Sequence, residues 1–109
     1  MKTRKVRPSP EAIEDVRLHV NYFLGHADKA VAHRFIDAVQ SAYDLLAFMP
    51  NIGAPRDFGL EKLKGMRMWP IRKFPKYLIF YTPTKSEIRI ERILHGARNI
   101  AQIFNPDND

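Results

Sequence analysis

Residues 77–94 read YLIFYTPTKSEIRIERIL, and the architecture turns on this stretch. Tyr77 to Tyr81 is rich in aromatic and β-branched residues. Glu87 to Leu94 alternates Ile88, Ile90 and Arg92 against Arg89, Glu91 and Ile93, the period of two expected of a strand with one buried face. Between them Thr82-Pro83-Thr84-Lys85-Ser86 is short and turn-forming, so the two strands are predicted to pair as an antiparallel hairpin. Immediately upstream, Met66 to Lys73 is a third strand candidate. Pro70 has no amide proton to give to a ladder, which puts this segment at an edge, a bulge or a strand end. Downstream, Ala97 to Phe104 reads as a short last helix.

Further back the period changes from two to 3.6. Ser9-Pro10-Glu11 is a helix start, with Ser9 as N-cap, Pro10 at the first helical position and Glu11 near the positive dipole end. Ile13, Val16, Val20, Phe23 and Leu24 then form an apolar stripe up to Gly25, which is read as a left-handed cap. Asp28 caps a second helix whose stripe runs Val31, Phe35, Ala38, Val39, Ala42, Leu45, Leu46 and Met49 until Pro50 stops it. A breaker-rich loop, Pro50 to Arg56, leads into the strands. Lys2 to Arg7 is a candidate outer strand in which only Val6 is strongly strand-forming. The expected fold is α+β: an N-terminal helical hairpin packed on a small twisted antiparallel sheet of three to four strands, with a short C-terminal helix.

The chain has 109 residues, 45% of them hydrophobic, which suits one domain spanning 1–109. Its apolar runs fall well short of the roughly 20 residues that cross a bilayer, and no apolar segment follows the basic start, so a cytoplasmic protein is expected. The absence of cysteine excludes disulfides, thiolate metal sites and a cysteine nucleophile. The net charge of +6 is segregated. Residues 62–98 carry ten Lys or Arg against Glu87 and Glu91, whereas residues 8–61 carry four basic and eight acidic groups. A basic pole of this kind attracts polyanions or an acidic protein without specifying which.

The stretch from Leu63 to Arg98 also carries recognisable motifs. They are Leu63-Lys64-Gly65-Met66-Arg67, then Phe74 followed by Tyr77 to Tyr81, then Ile93-Leu94-His95-Gly96-Ala97-Arg98. With the Pro50, Gly53, Pro55 and Arg56 loop before them, these residues resemble the ParE branch of the RelE/ParE toxins, plasmid stabilisation proteins of type II toxin-antitoxin systems. The resemblance covers most of the chain and is weakest at the amino end, where the basic run Lys2-Thr3-Arg4-Lys5 replaces an alternating apolar strand. It implies a toxin neutralised by a cognate ParD-like antitoxin, in a heterodimer or heterotetramer. Val16, Val20, Phe23 and Phe35 are the antitoxin-binding candidates. It also implies inhibition of DNA gyrase by binding, and no cofactor. The target-binding candidates are Arg67, Arg72, Lys73, Lys76, His95 and Arg98.

The RelE branch instead cleaves messenger RNA on the ribosome, which requires cations at the phosphate and a proton donor. Placed against that branch, the two strand lysines fall on Trp69 and Ile71, the strand arginine on Leu78 and the terminal tyrosine on Phe104. Arg98 alone remains as a catalytic candidate. Lys64, Arg67, Arg72, Lys73 and Lys76 could replace lost cations in space, so a RelE-like mRNA interferase is the alternative. A plain nucleic-acid-binding module and a toxin decayed in activity are two others.

Single residues also have bland readings. His95 is read as a hydrogen-bonding strand terminus and Gly96 as a turn former; Trp69 and Tyr77 as core. His19, His26 and His33 recur every seven residues, but Gly25 and Asp28 interrupt the helix between them, so no shared metal-binding face is expected.

Overall fold

The computed structural model describes residues 3–107. Strand β1 (Lys5–Pro8) leads into helix α1 (Pro10–His26) and helix α2 (Lys29–Phe48). After them come a two-residue strand β2 (Ala54–Pro55), a single 3-10 turn (Glu61–Leu63), strands β3 (Arg67–Ile71), β4 (Phe74–Pro83) and β5 (Glu87–His95), and helix α3 (Ile100–Phe104). Both long helices start where the sequence places them. The Ser9 hydroxyl accepts from the Ala12 amide at 2.9 Å, and the Asp28 carboxylate accepts from the Val31 amide at 2.9 Å. Helix α1 does not stop at Gly25. It runs to His26 and ends at Ala27, whose amide bonds to the Phe23 carbonyl, and Gly25 keeps a right-handed conformation.

The sheet has five strands in the order β1-β5-β4-β3-β2 and is mixed, because β1 pairs with β5 in parallel while every other pair is antiparallel. This corrects the expectation of three to four antiparallel strands. Two features caused the miss. The outer strand expected over Lys2 to Arg7 is present as β1, but its parallel pairing with β5 is fixed by backbone groups that leave no mark in the sequence, and β2 is too short to show a period. The Lys2 end of the predicted first strand lies outside the described residues.

Strand β4 is buried on both faces, so it reads as a continuous apolar run. Ile79 and Tyr81 point toward α1 and α2, where Phe35, Val39, Ala42 and Leu46 close the main core. Phe80 and Leu78 point the other way, into a second cluster with Met66, Leu94, Ile100, Phe58 and Phe104. Helices therefore do not cover one sheet face alone: α3 and the 56–65 loop roof the other. In β5 the register shifts so that Tyr81 faces Ile90 and Phe80 faces Arg92, leaving Glu91 as the extra residue of a bulge. That residue resets the alternation. Ile93 joins Ile88 and Ile90 in the main core, contrary to the strict period-two reading.

Beyond Ile90 the outer edge of β5 has no strand partner, and α1 side chains close it. The Ser9 hydroxyl donates to the Glu91 carbonyl at 2.8 Å. Asp15 accepts from the Ile93 amide at 3.0 Å and from Arg92 Nε and Nη2 at 2.7 and 2.8 Å, and His19 Nε2 donates to the Ile93 carbonyl at 2.8 Å. Asp15 is only 4% exposed, so this arrangement satisfies a buried carboxylate and an open strand edge together. Among the described residues, no helix is long and apolar enough to cross a membrane.

Candidate functional site: the cationic end of the sheet

The β3–β4 connection is a two-residue turn, since Ile71 pairs with Phe74 and only Arg72 and Lys73 lie between them. Lys73 has φ 76°, a left-handed value that costs a side-chain-bearing residue roughly 1 kcal/mol or more. Past the turn the register jumps from Ile71 opposite Phe74 to Pro70 opposite Leu78. The intervening Pro75, Lys76 and Tyr77 therefore bulge out of the ladder with β3. Pro70 sits past the end of β2, where β3 has no outer neighbour and the missing amide costs nothing.

The end of β5 comes back to the same place. Tyr77 pairs with His95, and the Gly96 amide donates to the Lys76 carbonyl at 2.7 Å. Gly96 has no left-handed φ, so the turn-former reading is replaced by a packing one. A Cβ there would lie 3.4 Å from the Lys76 carbonyl oxygen and 3.5 Å from the Leu78 side chain. His95 Nδ1 accepts from the Ala97 amide at 3.0 Å, which fixes the ring and leaves its other nitrogen as the N–H donor in the neutral form. The Arg98 amide closes the turn on the His95 carbonyl at 3.1 Å, and the Arg98 side chain is exposed.

Five of the six target-binding candidates are thus assembled at one end of the sheet: Arg72, Lys73, Lys76, His95 and Arg98. The sixth is not among them. Arg67 lies at the opposite end of β3, where its guanidinium donates to the carbonyls of Asn51 at 3.1 Å and Gly53 at 2.7 Å. There it ties down the helix-to-sheet loop together with the Tyr81 hydroxyl, which accepts from the Gly53 amide and donates to the Pro50 carbonyl. Behind the cationic end runs an aromatic ladder. The Tyr77 ring lies edge-on to His19 at 4.8 Å and to His95 at 5.1 Å. Burial pushes the His19 pKa down and the Tyr77 pKa up, so both are neutral near pH 7.

The antitoxin-binding candidates are placed differently from expectation. Phe35 is fully buried, and Val16, Val20 and Phe23 pack inward on the same core, so the stripe that defines the helices is spent on the sheet. Among the described residues, the large apolar ones exposed to solvent are Ile13, Leu18, Tyr22, Leu24, Ile36, Phe48 and Met49, all on the helical hairpin or its end. Ile13, Leu24 and Met49 belong to the stripes expected to be buried and are exposed instead, because they lie at the margins of the faces turned to the sheet, while Leu18, Tyr22, Ile36 and Phe48 fall outside those stripes. A groove between α2 and β3, lined by Arg34, Asp37, Leu45, Trp69, Arg72 and Lys73, adjoins the cationic end.

The residues at the RelE-type catalytic positions are packed as apolar groups. Ile71 is buried in the main core, Trp69 packs against it, Leu78 belongs to the second cluster, and Phe104 stacks on Phe58 at 5.1 Å. The histidines of the helices go separate ways. His19 faces β5, and His26 stacks on Tyr22 at 4.3 Å while bonding to the Tyr22 carbonyl; His33 is exposed.

The sequence profile described as ParE toxin of type II toxin-antitoxin system, parDE, matches residues 6–100, and the chain belongs to that family. Among solved structures, ten chains match significantly. One is from a chromosomal ParDE toxin-antitoxin system of P. aeruginosa, with a TM-score of 0.69 and 16% sequence identity, covering 85% of this chain and 96% of that one. That likeness is one of fold. No curated protein sequence matches significantly.

Proposed function

We propose that this chain is a cytoplasmic toxin that a ParD-like antitoxin holds inactive and that, once released, inhibits DNA gyrase by binding and not by cutting nucleic acid. The observation that carries the second half is the apolar packing of Trp69, Ile71, Leu78 and Phe104, so the positions where the nuclease branch has two lysines, an arginine and a tyrosine supply nothing to stabilise a pentavalent phosphate or protonate a leaving oxygen. Loss of such groups removes several kcal/mol of transition-state stabilisation. Family membership and the P. aeruginosa ParDE fold match support the antitoxin partner. The exposed apolar residues of the hairpin, Leu18 and Tyr22 foremost, are the surface we assign to it. The test adds purified toxin to gyrase with supercoiled DNA and, in parallel, to translating ribosomes. Trapped cleaved DNA that disappears on adding the antitoxin is expected. Cleaved messenger with untouched gyrase would overturn the assignment and restore the mRNA interferase reading.

A further inference from the structure

We infer that the cationic end of the sheet is a contact for the sugar–phosphate backbone of duplex DNA, through which the toxin grips the DNA of its target complex and not gyrase alone. The inference rests on the gyrase reading for its setting and on the surface for its chemistry. Three observations converge.

The first is charge without counter-charge. No Asp or Glu occurs from residue 62 to 86 or from 92 to 106. Among the described residues the ion pairs are Arg7–Glu87, Arg17–Glu14, Arg89–Glu91 and Arg92–Asp15. Arg72, Lys73, Lys76 and Arg98 take part in none of them. The acids of the basic half, Glu87 and Glu91, are occupied farther along β5 by Arg7, Arg89 and Thr82. From α2, Asp37 lines the same groove as Arg72 and Lys73, with Arg34 beside it.

The second is shape and polarity. Arg72 and Lys73 sit on a projecting hairpin tip, and Arg72, Lys73, Lys76 and Arg98 are all exposed. Among the described residues, none of the seven large exposed apolar ones lies there; all are on the helical hairpin or its end. A peptide partner needs an apolar anchor at the centre of its contact, and the apolar walls beside this end, Leu45 and Trp69, line the groove toward α2 and not the tip that carries Lys76 and Arg98, whereas a phosphate backbone needs only cations. An acidic peptide is therefore the less favoured occupant.

The third is strain. A two-residue hairpin turn that demands a left-handed second position is most easily made with glycine or asparagine, yet the position is Lys73 at φ 76°. The chain thus keeps a charge at the tip where an uncharged residue would fold more easily, the pattern expected where stability is given up for binding.

The experiment measures anisotropy of a short fluorescein-labelled duplex with the full-length toxin across a salt series, without gyrase. Contact by four cations predicts a slope of log affinity against log salt of about −3 to −4, so that binding falls roughly 100-fold between about 50 and 200 mM. Lys73→Gly, Arg72→Ser, Lys76→Ser and Arg98→Ser each lower the slope by about one, while Arg17→Ser on the far helix leaves it unchanged. Circular dichroism confirms that each variant is folded. A slope near zero, equal binding by the variants, or preferential binding of poly-glutamate at the same residues would overturn the inference. So would variants that lose duplex binding yet trap gyrase–DNA complexes as well as the parent. If the parent binds duplex as expected but never affects gyrase, the gyrase reading fails and the DNA contact stands.

Discussion

Replacing Asp15 with alanine tests the closure of the β5 edge. The carboxylate is 4% exposed and accepts three hydrogen bonds, two from Arg92 and one from the Ile93 amide. Removing one partner of a buried pair costs about 3–5 kcal/mol, chiefly because the other charge is left uncompensated. The Arg92 side chain retains 25% exposure and can recover part of its hydration, which lowers its share. The orphaned Ile93 amide adds about 1 kcal/mol or more. Asp15→Ala should therefore lose about 3 kcal/mol in urea unfolding followed by circular dichroism, with an unchanged m-value. Asp15→Asn, which keeps the shape but not the charge, should lose about half of that. In a double-mutant cycle with Arg92→Met the two losses should fall short of additivity by about 1–3 kcal/mol. A loss below about 1 kcal/mol for Asp15→Ala, or strictly additive singles, would refute the claim that this pair holds α1 on the sheet edge.

Gly53→Ala would bring a Cβ to 2.7 Å from the Tyr81 hydroxyl and 2.8 Å from the Met68 carbonyl oxygen, so thermal unfolding should show a loss of about 2–3 kcal/mol. Lys73→Gly relieves the left-handed turn and should leave stability unchanged or raise it by up to about 1 kcal/mol, read from urea midpoints. Burial holds the folded His19 pKa below its ordinary 6.5, so the unfolded chain binds more protons below that value. The stability His19 contributes is present above pH 6.5 and lost as pH falls through the folded pKa. His19→Gln should flatten the fall in stability between pH 7 and mildly acidic pH. Tyr43, pushed up to about 12 by burial, should stay un-ionised in ultraviolet titration until about that pH, and the stability tied to its protonated form should drain away between about pH 10 and 12.

The helices and the β4–β5 hairpin were legible because strong local signals agree with the packing: Ser9 and Asp28 cap, Pro50 terminates, and the apolar stripes meet the sheet. What escaped was set by partners distant in sequence. The parallel direction of β1 is fixed by backbone bonds to β5, the Glu91 bulge re-phases a strand whose alternation looked regular, and the expected last helix packs on the face opposite the other two. The site was partly legible for the same reason. Charge density identified Arg72, Lys73, Lys76 and Arg98, but could not reveal that Arg67 is engaged by loop carbonyls at the other end of β3. The apolar period found the core side of α1 and α2, so Val16, Val20, Phe23 and Phe35 named the face turned to the sheet, while the outward residues Leu18 and Tyr22 carry no periodic mark.

The parallel pairing of the first strand with the last, Lys5 opposite Glu87, has a temporal meaning during synthesis. At about 5–20 residues per second, the 82 residues from Val6 through Glu87 (87 − 5) take roughly 4–16 s to make. For that interval the amphipathic helices can form, but the surface they would cover does not yet exist. The nascent chain therefore cannot assemble the basic tip at Arg72 together with Arg98 until β5 and the turn after it have been made.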